Sequence, residues 1–394
     1  MPELINLTVF RKFFKSGAAS GFILIACVVV SLLIANSPLG DAFEHLLSYE
    51  IGYRSESLEL RYPVLLWIND GLMAVFFLLV GLEIKRELVE GELSSLKQAA
   101  LPVFAAIGGM LVPAALFALV NIGSATAKGW GIVMATDIAF AIAVISILGS
   151  RVPVALKIFL TALAIVDDLG AILVIAMFYS ADIQLNYLLY AGATFALLIA
   201  FNLLGVKNLL FYLLPGVFMW YFIHHSGVHA TVAGVLTALT LPTTPGAEES
   251  PLEKLEHALT RPVNFLVMPL FALANTNIQF ESEMISGLTS RLSLGIIAGL
   301  LIGKPLGITL LSWLSVKLGV SELPKGVRWP QVVGLGLLAG IGFTMSIFIA
   351  LLSFNDPELR TAAKFAILAA SLLSGFSGYF LLRKLGKQLD KREI

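Results

Sequence analysis

The chain alternates between long apolar runs and short polar stretches, and this pattern predicts its secondary structure. Most of the runs approach the roughly 20 residues that an α-helix needs to cross a membrane. Two runs, 209–223 and 227–241, are shorter, which is typical of tilted, broken or re-entrant helices. Twelve helices are predicted in all, at 17–35, 63–82, 98–120, 131–148, 154–179, 187–204, 209–223, 227–241, 263–280, 292–315, 330–353 and 361–382.

The positions of Lys and Arg test this count, because basic residues collect in the cytoplasmic loops of membrane proteins. With the amino terminus inside the cell, 19 of the 26 basic residues fall on the cytoplasmic side and 6 outside, leaving Lys304 within a helix. Twelve spans with both termini in the cytoplasm are therefore expected. The cytoplasmic set includes the terminal residues Arg11, Lys12, Lys15, Lys387, Lys391 and Arg392.

Composition supports a membrane protein and excludes several functions. Of the 394 residues, 58% are hydrophobic and 13% charged, against about 25% charged in an ordinary soluble domain. Basic and acidic residues balance at 26 each, so a surface for nucleic acid is not expected. The single cysteine, Cys27, excludes an intrachain disulfide and a Cys-rich metal site. No cofactor is expected.

Two groups of three predicted helices have the arrangement of an inverted repeat. They cover residues 98–179 and 292–382, and seven spans separate equivalent helices, so the two groups have opposite orientations in the membrane. The prediction is an all-α polytopic protein with one transmembrane domain over residues 1–394.

The loop after the first predicted helix differs from the other loops. Residues 48–60 alternate loosely around Gly52, which predicts an extracytoplasmic β-hairpin at about 45–60, with an unstructured loop as the alternative. An isolated hairpin is marginally stable in water, so pairing with a second copy is expected. This favours a homodimer.

Both repeats contain a feature that weakens their middle helix. Thr136 and Asp137 interrupt the apolar pattern in the first repeat, and Gly340 and Gly342 do so in the second. Discontinuous helices at such positions expose half-helix ends near the membrane midplane, with positive amino ends and negative carboxyl ends. Asp137 is expected to neutralise positive ends, and Lys304 negative ends.

The most unusual residues are two adjacent carboxylates, Asp167 and Asp168, within the apolar run from Val154 to Tyr179. One ionised Asp at a membrane helix centre costs about 3 kcal/mol, so the pair requires a cation, a proton or water. The two side chains point about 100° apart around the helix, and they should titrate as a coupled pair. Oxygens from both residues, with Asp137 and Thr136, suit Na⁺ or Li⁺. A site that holds either a cation or protons is what an antiporter requires.

Six stretches, in order along nearly the whole chain, resemble the bacterial NhaA-type Na⁺/H⁺ antiporters. They begin at Trp67, Val80, Ala135, Ala164, Ser226 and Gly303, and read WINDGLMAVFF, VGLEIKRE, ATDIAF, AIVDD, SGVHAT and GKP. The resemblance implies twelve helices with inverted repeats, a dimer, the inner membrane, and exchange of internal Na⁺ or Li⁺ for external protons. It also implies that Asp167 and Asp168 bind the cation and protons, supported by Asp137, Thr136 and Lys304.

The same resemblance implies a response to pH. A charged cluster at the cytoplasmic funnel and one histidine are implicated in the family, and the matching residues are Glu83, Arg86, Glu87, His229, Glu256 and His257. The chain departs from the family at Glu253, where a basic residue is common.

Two other functions compete with this interpretation. An intramembrane aspartyl protease needs carboxylates from two helices, usually one of them within a Gly-x-Gly-Asp stretch, which this sequence lacks; no enzyme is therefore expected. A Na⁺-coupled symporter of an organic anion would need a roomy polar cavity and several basic residues, whereas Lys304 is the one basic residue predicted in mid-span. The partners expected are Na⁺, Li⁺, H⁺, membrane lipid and a second copy of the chain.

Overall fold

The computed structural model describes residues 7–55, 59–180, 182–243 and 249–390, which are mostly helical. Side chains are described in those ranges from residue 19 to residue 386, except at 282 and 283. The six terminal basic residues named above lie outside the described side chains. Their predicted position in the cytoplasm stays a prediction.

Many helices are apolar and long enough to span a membrane. Six described helices meet this condition alone, and three bent helix pairs bring the count to nine if each pair is one span. Helical segments at Leu210–His225, Val232–Thr240 and 251–275 coincide with the three other predicted spans. The chain is a multi-pass membrane protein, and the count of twelve spans stays a prediction.

The chain forms two compact units, and the first consists of Met1–Ala26, Leu96–Asp168 and Glu281–Ile394. This unit contains both predicted repeats except for residues 169–179. The helices Leu7–Ala35 and Val154–Phe178 contribute residues to both units. The other helical segments of the first unit are Leu96–Val120, Ala125–Val133, Ile138–Ile147, Gly149–Arg151, Ser282–Gly287, Arg291–Ala298, Gly299–Gly303, Lys304–Lys317, Trp329–Ala339, Phe343–Ser353 and Pro357–Asp390.

The middle helix of each repeat is interrupted, as the sequence predicted. We call Ala125–Val133 with Ile138–Ile147 the first interrupted helix, and Trp329–Ala339 with Phe343–Ser353 the second. Their halves are bent by 46° and 49°, respectively. The two breaks meet, because the amide of Asp137 donates to the carbonyl of Ile341 at 2.6 Å. The likeness of the two bends agrees with a repeated architecture.

The helix that carries Lys304 packs closely against Leu96–Val120. A Cβ at Gly307 would lie 2.0 Å from the carbonyl oxygen of Gly108, so only hydrogen atoms fit between the two backbones. A π-helical segment, Gly299–Gly303, precedes Lys304. Pro305 has no amide hydrogen for the preceding turn, and a local π-helical adjustment accommodates such a loss. These features determine the position of Lys304 at the start of the helix Lys304–Lys317.

The second unit consists of Cys27–Ser95 and Leu169–Phe280. A short helix, Val232–Thr240, packs against Met73–Val89, and a Cβ at Gly234 would lie 2.2 Å from the carbonyl oxygen of Ala74. The other elements of this unit are the helical segments Gly40–Ser48, Val64–Leu66, Trp67–Leu72, Leu185–Leu203, Leu210–His225, Pro251–Pro262, Val263–Val267 and Met268–Asn275, and the strands Glu50–Ile51 and Tyr62–Pro63.

The predicted hairpin is a small antiparallel sheet. Glu50 pairs with Pro63 and Ile51 with Tyr62, and an isolated bridge joins Arg54 to Glu59. The second strand begins two residues beyond the predicted end of the hairpin, since the pairing continues to the start of the next helix. Residues 56–58 of the predicted hairpin lie outside the described residues.

Several helices extend beyond the apolar runs that predict them. The run 263–280 corresponds to a helix that begins at Pro251, because the Ser250 side chain and the Glu253 side chain form a capping box there. Met73–Val89 likewise continues through the charged residues after 82. Hydropathy predicts the part of a helix within lipid, whereas caps and backbone hydrogen bonds decide where the helix ends.

Candidate ion-binding site

Asp137 lies where the two interrupted helices meet, and its carboxylate binds the amino ends of both second halves. Oδ1 accepts a hydrogen bond from the Phe140 amide at 3.1 Å, which makes Asp137 the N-cap of its own half-helix. Oδ2 accepts from the Thr344 amide at 3.1 Å and from the Thr344 hydroxyl. Amino ends of helices carry partial positive charge, so one buried carboxylate stabilises two of them.

Lys304 contacts the carboxyl end of a half-helix, whereas Asp137 contacts amino ends. Its Nζ donates to the carbonyl of Met134, directly after the first half of the first interrupted helix. Nζ also lies 2.5 Å from Oδ2 of Asp167, and both side chains are fully buried. The ammonium thus meets the partly negative carboxyl end of a half-helix and an ionisable carboxylate at once.

Thr136 connects Asp167 to the second interrupted helix. Its hydroxyl lies 2.7 Å from Oδ2 of Asp167 and 2.9 Å from the carbonyl oxygen of Ala339, at the carboxyl end of that helix's first half. A hydroxyl has one hydrogen to donate. It therefore donates to one of these oxygens at a time, and the geometry allows both choices.

The two oxygens of Asp167 have different surroundings. Oδ2 is bound by Lys304 and Thr136, whereas Oδ1 is buried and has no hydrogen-bond partner among the residues that the structure describes. A buried carboxylate oxygen of this kind is costly unless a proton or a cation reaches it. Oδ1 of Asp167 is therefore suited to take either one.

Asp168 follows on the same helix and is 4% exposed. It interacts electrostatically with Lys304, whose direct ion pair is with Asp167. Lys304 therefore forms its ion pair with the first of the two adjacent carboxylates. Asp137 differs from Asp167 and Asp168 in its hydrogen bonds, since both of its oxygens accept from the amino ends of helices. Its role as a cation ligand stays a prediction.

Two residues of the second interrupted helix take part without having been predicted. Thr344 binds Asp137 through its amide and its hydroxyl, and the hydroxyl of Ser346 donates to the carbonyl of Ile132 at 2.6 Å. Both lie in the first turn after the glycine break. Hydroxyl residues at the start of a half-helix, opposite an acidic residue in the other repeat, are the signal that would have identified them.

The predicted charged cluster is largely assembled in the second unit. Arg86 lies 3.0 Å from Glu256 and 3.3 Å from Glu87, and Glu83 interacts electrostatically with Arg86 and Glu256. Glu256 precedes the predicted span at 263–280. Burial raises the pKa of its carboxyl, while the charge of Arg86 opposes this shift.

His257 interacts electrostatically with Glu256 but forms its ion pair outside that cluster. Its Nδ1 lies 2.8 Å from the carboxylate of Glu249, and both side chains are largely exposed. An exposed ion pair contributes little to stability, about 0 to 1 kcal/mol.

His229 lies before the short helix Val232–Thr240. Its Nδ1 is 2.9 Å from the Thr231 hydroxyl and its Nε2 is 3.7 Å from Asp70, whose other oxygen is 3.1 Å from His224. The carboxyl end of this helix is bound by Lys85, which donates to the carbonyls of residues 239 and 241. Lys85 therefore caps a helix, a contact that the sequence analysis did not predict.

The second unit also has a groove of about 710 Å³. Apolar side chains such as Trp67, Leu78, Val217 and Leu259 line it, and it includes none of the predicted site residues. Its apolar lining does not suit an organic anion.

Comparison with known proteins identifies the family. A family model described as Na⁺/H⁺ antiporter 1 matches residues 11–382. The chain belongs to this family. Family members are Na⁺/H⁺ antiporters, so the chain is placed among transport proteins.

Curated relatives match the chain over nearly its full length. The Na⁺/H⁺ antiporter NhaA 2 of Flavobacterium johnsoniae is 65% identical, covering 100% of this chain and 96% of the relative. The Na⁺/H⁺ antiporter NhaA of Flavobacterium psychrophilum is 51% identical, covering 95% and 96%. That of Escherichia coli O1:K1 / APEC is 51% identical, covering 95% and 97%. The resemblance seen in the sequence motifs is confirmed.

Proposed function

We propose that this chain exchanges cytoplasmic Na⁺ or Li⁺ for external protons, for sodium and pH homeostasis. The family and the names of the relatives support antiport. They give no support to the alternative, a Na⁺-coupled symporter of an organic anion. Resident cofactors have no part in this proposal, because Na⁺, Li⁺ and H⁺ are the cargo.

The proposal rests on the different surroundings of the two carboxylate oxygens of Asp167. One oxygen is paired with Lys304, and the other is buried without a hydrogen-bond partner among the described residues. A cation at Asp167 would compete with the Lys304 ammonium for the carboxylate, and a proton on Asp167 would remove the charge that holds either one. Binding of cation and binding of proton therefore exclude each other.

Asp168 supplies the second carboxylate, and Thr136 supplies a hydroxyl oxygen beside Asp167. Oxygen ligands of this kind suit a small hard cation. Asp137 and Lys304 hold the half-helix ends on either side of the site, so they support it by position. If two protons are exchanged for each cation, transport moves net charge and responds to membrane potential.

Regulation by pH would involve the charged cluster of the second unit. Glu83, Arg86, Glu87 and Glu256 interact with one another, so protonation of one carboxylate changes the charge that the others experience. His229 and His257 extend the proposed set. Glu253 lies on the same helix as Glu256, at the position where the family commonly has a basic residue.

We place the protein in the bacterial inner membrane, as a homodimer in contact with lipid and with both termini in the cytoplasm. The two-stranded sheet supports the dimer, because two short strands are marginally stable alone and gain from a second copy. The predicted single domain, with repeats at 98–179 and 292–382, remains part of this proposal.

The test is Na⁺-driven proton flux in proteoliposomes that contain the purified protein. Asp167→Asn and Asp168→Asn should each abolish exchange while the protein still folds, because each substitution removes an ionisable oxygen pair. Glu322→Gln is a matched control, since Glu322 is 84% exposed and lies in the same unit. No cation-dependent proton flux from the unaltered protein would refute antiport.

A further inference from the structure

Lys157 binds the far end of the first interrupted helix. It is the fourth residue of Val154–Phe178, the helix that carries Asp167 and Asp168. Its Nζ donates to the carbonyl of Gly149 at 2.9 Å, two residues beyond the end of Ile138–Ile147. The ammonium therefore contacts the backbone just beyond the carboxyl end of the half-helix whose amino end is capped by Asp137, at the first residue of the segment Gly149–Arg151.

Arg360 makes the equivalent contact in the second repeat. It is the fourth residue of Pro357–Asp390, the helix that follows the second interrupted helix. Its Nε donates to the carbonyl of Phe354 at 2.5 Å, and Nη2 donates to that of Leu351 at 3.2 Å. Leu351 lies in the last turn of Phe343–Ser353 and Phe354 directly follows that helix, whose amino end binds Asp137 through Thr344.

The two contacts are related by the repeat and do not follow from one local motif. The donors are chemically different, and the loops that they cross differ in length, yet each basic residue has the same place in the third helix of its repeat. Carboxyl ends of helices carry partial negative charge, which a cation stabilises. Each second half-helix is thus bound at both ends, by Asp137 at its start and by a basic residue at its end.

We propose that Lys157 and Arg360 are positioning residues that hold the second half of each interrupted helix in the place that the ion site requires. This inference rests on the proposed antiport. Lys157 joins the carboxylate-bearing helix to the first interrupted helix at one point, and the Thr136–Asp167 contact joins them at another. These two contacts together fix the relative position of the two helices, whereas one contact alone would let them rotate about it.

Lys157→Met and Arg360→Met remove the charge and the donor while keeping an extended side chain. Each should raise the apparent KM for Na⁺ about three- to tenfold, with the maximal rate changed less than twofold, because neither residue contacts Asp167 or Asp168. Lys157→Arg and Arg360→Lys keep the charge and a donor, so their KM for Na⁺ should stay close to that of the unaltered protein. Lys325→Met is the control, since Lys325 is an exposed basic residue of the same unit.

A second measurement does not depend on transport. Hydrogen exchange at the Asp137 amide, which binds Ile341 at the break, should become several-fold faster in Lys157→Met. A residue with only a local structural role would speed exchange near Gly149 and leave Asp137 unchanged. If Lys157→Met does not fold, Lys157→Gln keeps an amide donor without the charge and should show a smaller change in the same direction.

Two outcomes overturn the proposal. One is an unchanged KM in folded Met variants together with unchanged exchange at Asp137. The other is an equal rise of KM in Lys325→Met. Absence of Na⁺-driven flux in the unaltered protein is a different result, because it refutes the proposed function while faster exchange at Asp137 still supports the positioning role.

Discussion

The ion pair between Lys304 and Asp167 gives the sharpest test of the site. Both side chains are fully buried, with Nζ and Oδ2 2.5 Å apart. Removing one partner of a buried pair leaves a charge without its counter-ion and costs about 3–5 kcal/mol. Replacing both partners leaves no uncompensated buried charge, so it avoids that cost. Lys304→Met should therefore destabilise the protein by about that amount, and Lys304→Met combined with Asp167→Asn by much less.

The assay is thermal unfolding of the four proteins of this double-mutant cycle in detergent, with and without Na⁺. Na⁺ should stabilise Lys304→Met most, because the freed carboxylate then binds the cation without competition. Na⁺ at 100 times its Kd gives about 2.7 kcal/mol. The combined variant should gain nothing from Na⁺. If the effects of Lys304→Met and Asp167→Asn simply add, the two residues are not energetically coupled and the reasoning fails.

Three further predictions concern other parts of the molecule. Asp137→Ala should lower the melting temperature, since a lost N-cap costs about 0.5–2 kcal/mol and this carboxylate binds two helix starts; an unchanged thermal melt would contradict the dual cap. Glu256→Gln should weaken the dependence of exchange rate on pH, because burial raises the pKa of Glu256 and its ion pair with Arg86 is lost as pH falls through that pKa; an unaltered rate profile across a pH series would exclude this role. Gly307→Val should prevent folding, as judged by yield and thermal melts, because its Cβ meets backbone at 2.0 Å, whereas Gly192→Val, with open space around its Cβ position, should fold normally.

The sequence allowed the main features of the fold to be predicted, because lipid imposes simple rules on a chain. Apolar runs predicted the helices, and Gly340 and Gly342 predicted a break that the structure has between Ala339 and Phe343. The helix ends were predicted less well. Glu83 to Glu87 end the apolar run but continue the helix, since Glu, Lys and Arg are good helix formers.

The specific partners within the site could not be predicted from spacing. Adjacent positions of a helix differ by about 100° in direction, so Asp167 and Asp168 were both candidates for Lys304. The choice depends on how the helix that carries the aspartates and the helix that carries Lys304 are rotated. The close contact of Gly307 with Gly108 fixes the rotation of the Lys304 helix against Leu96–Val120. Such contacts join residues far apart in the chain, and no local pattern encodes them.

The contrast between Asp137 and Asp167 shows how the same residue type serves different roles in one assembly. Asp137 accepts hydrogen bonds at both oxygens from helix starts that remain partly positive at every pH. A cation would have to compete with both helix ends, so this carboxylate is suited to hold structure. Asp167 has one oxygen engaged by an ammonium and a hydroxyl and the other without a hydrogen-bond partner among the described residues. Because an ammonium can be displaced by another cation, whereas a helix end cannot leave, exchange is expected at Asp167 and not at Asp137.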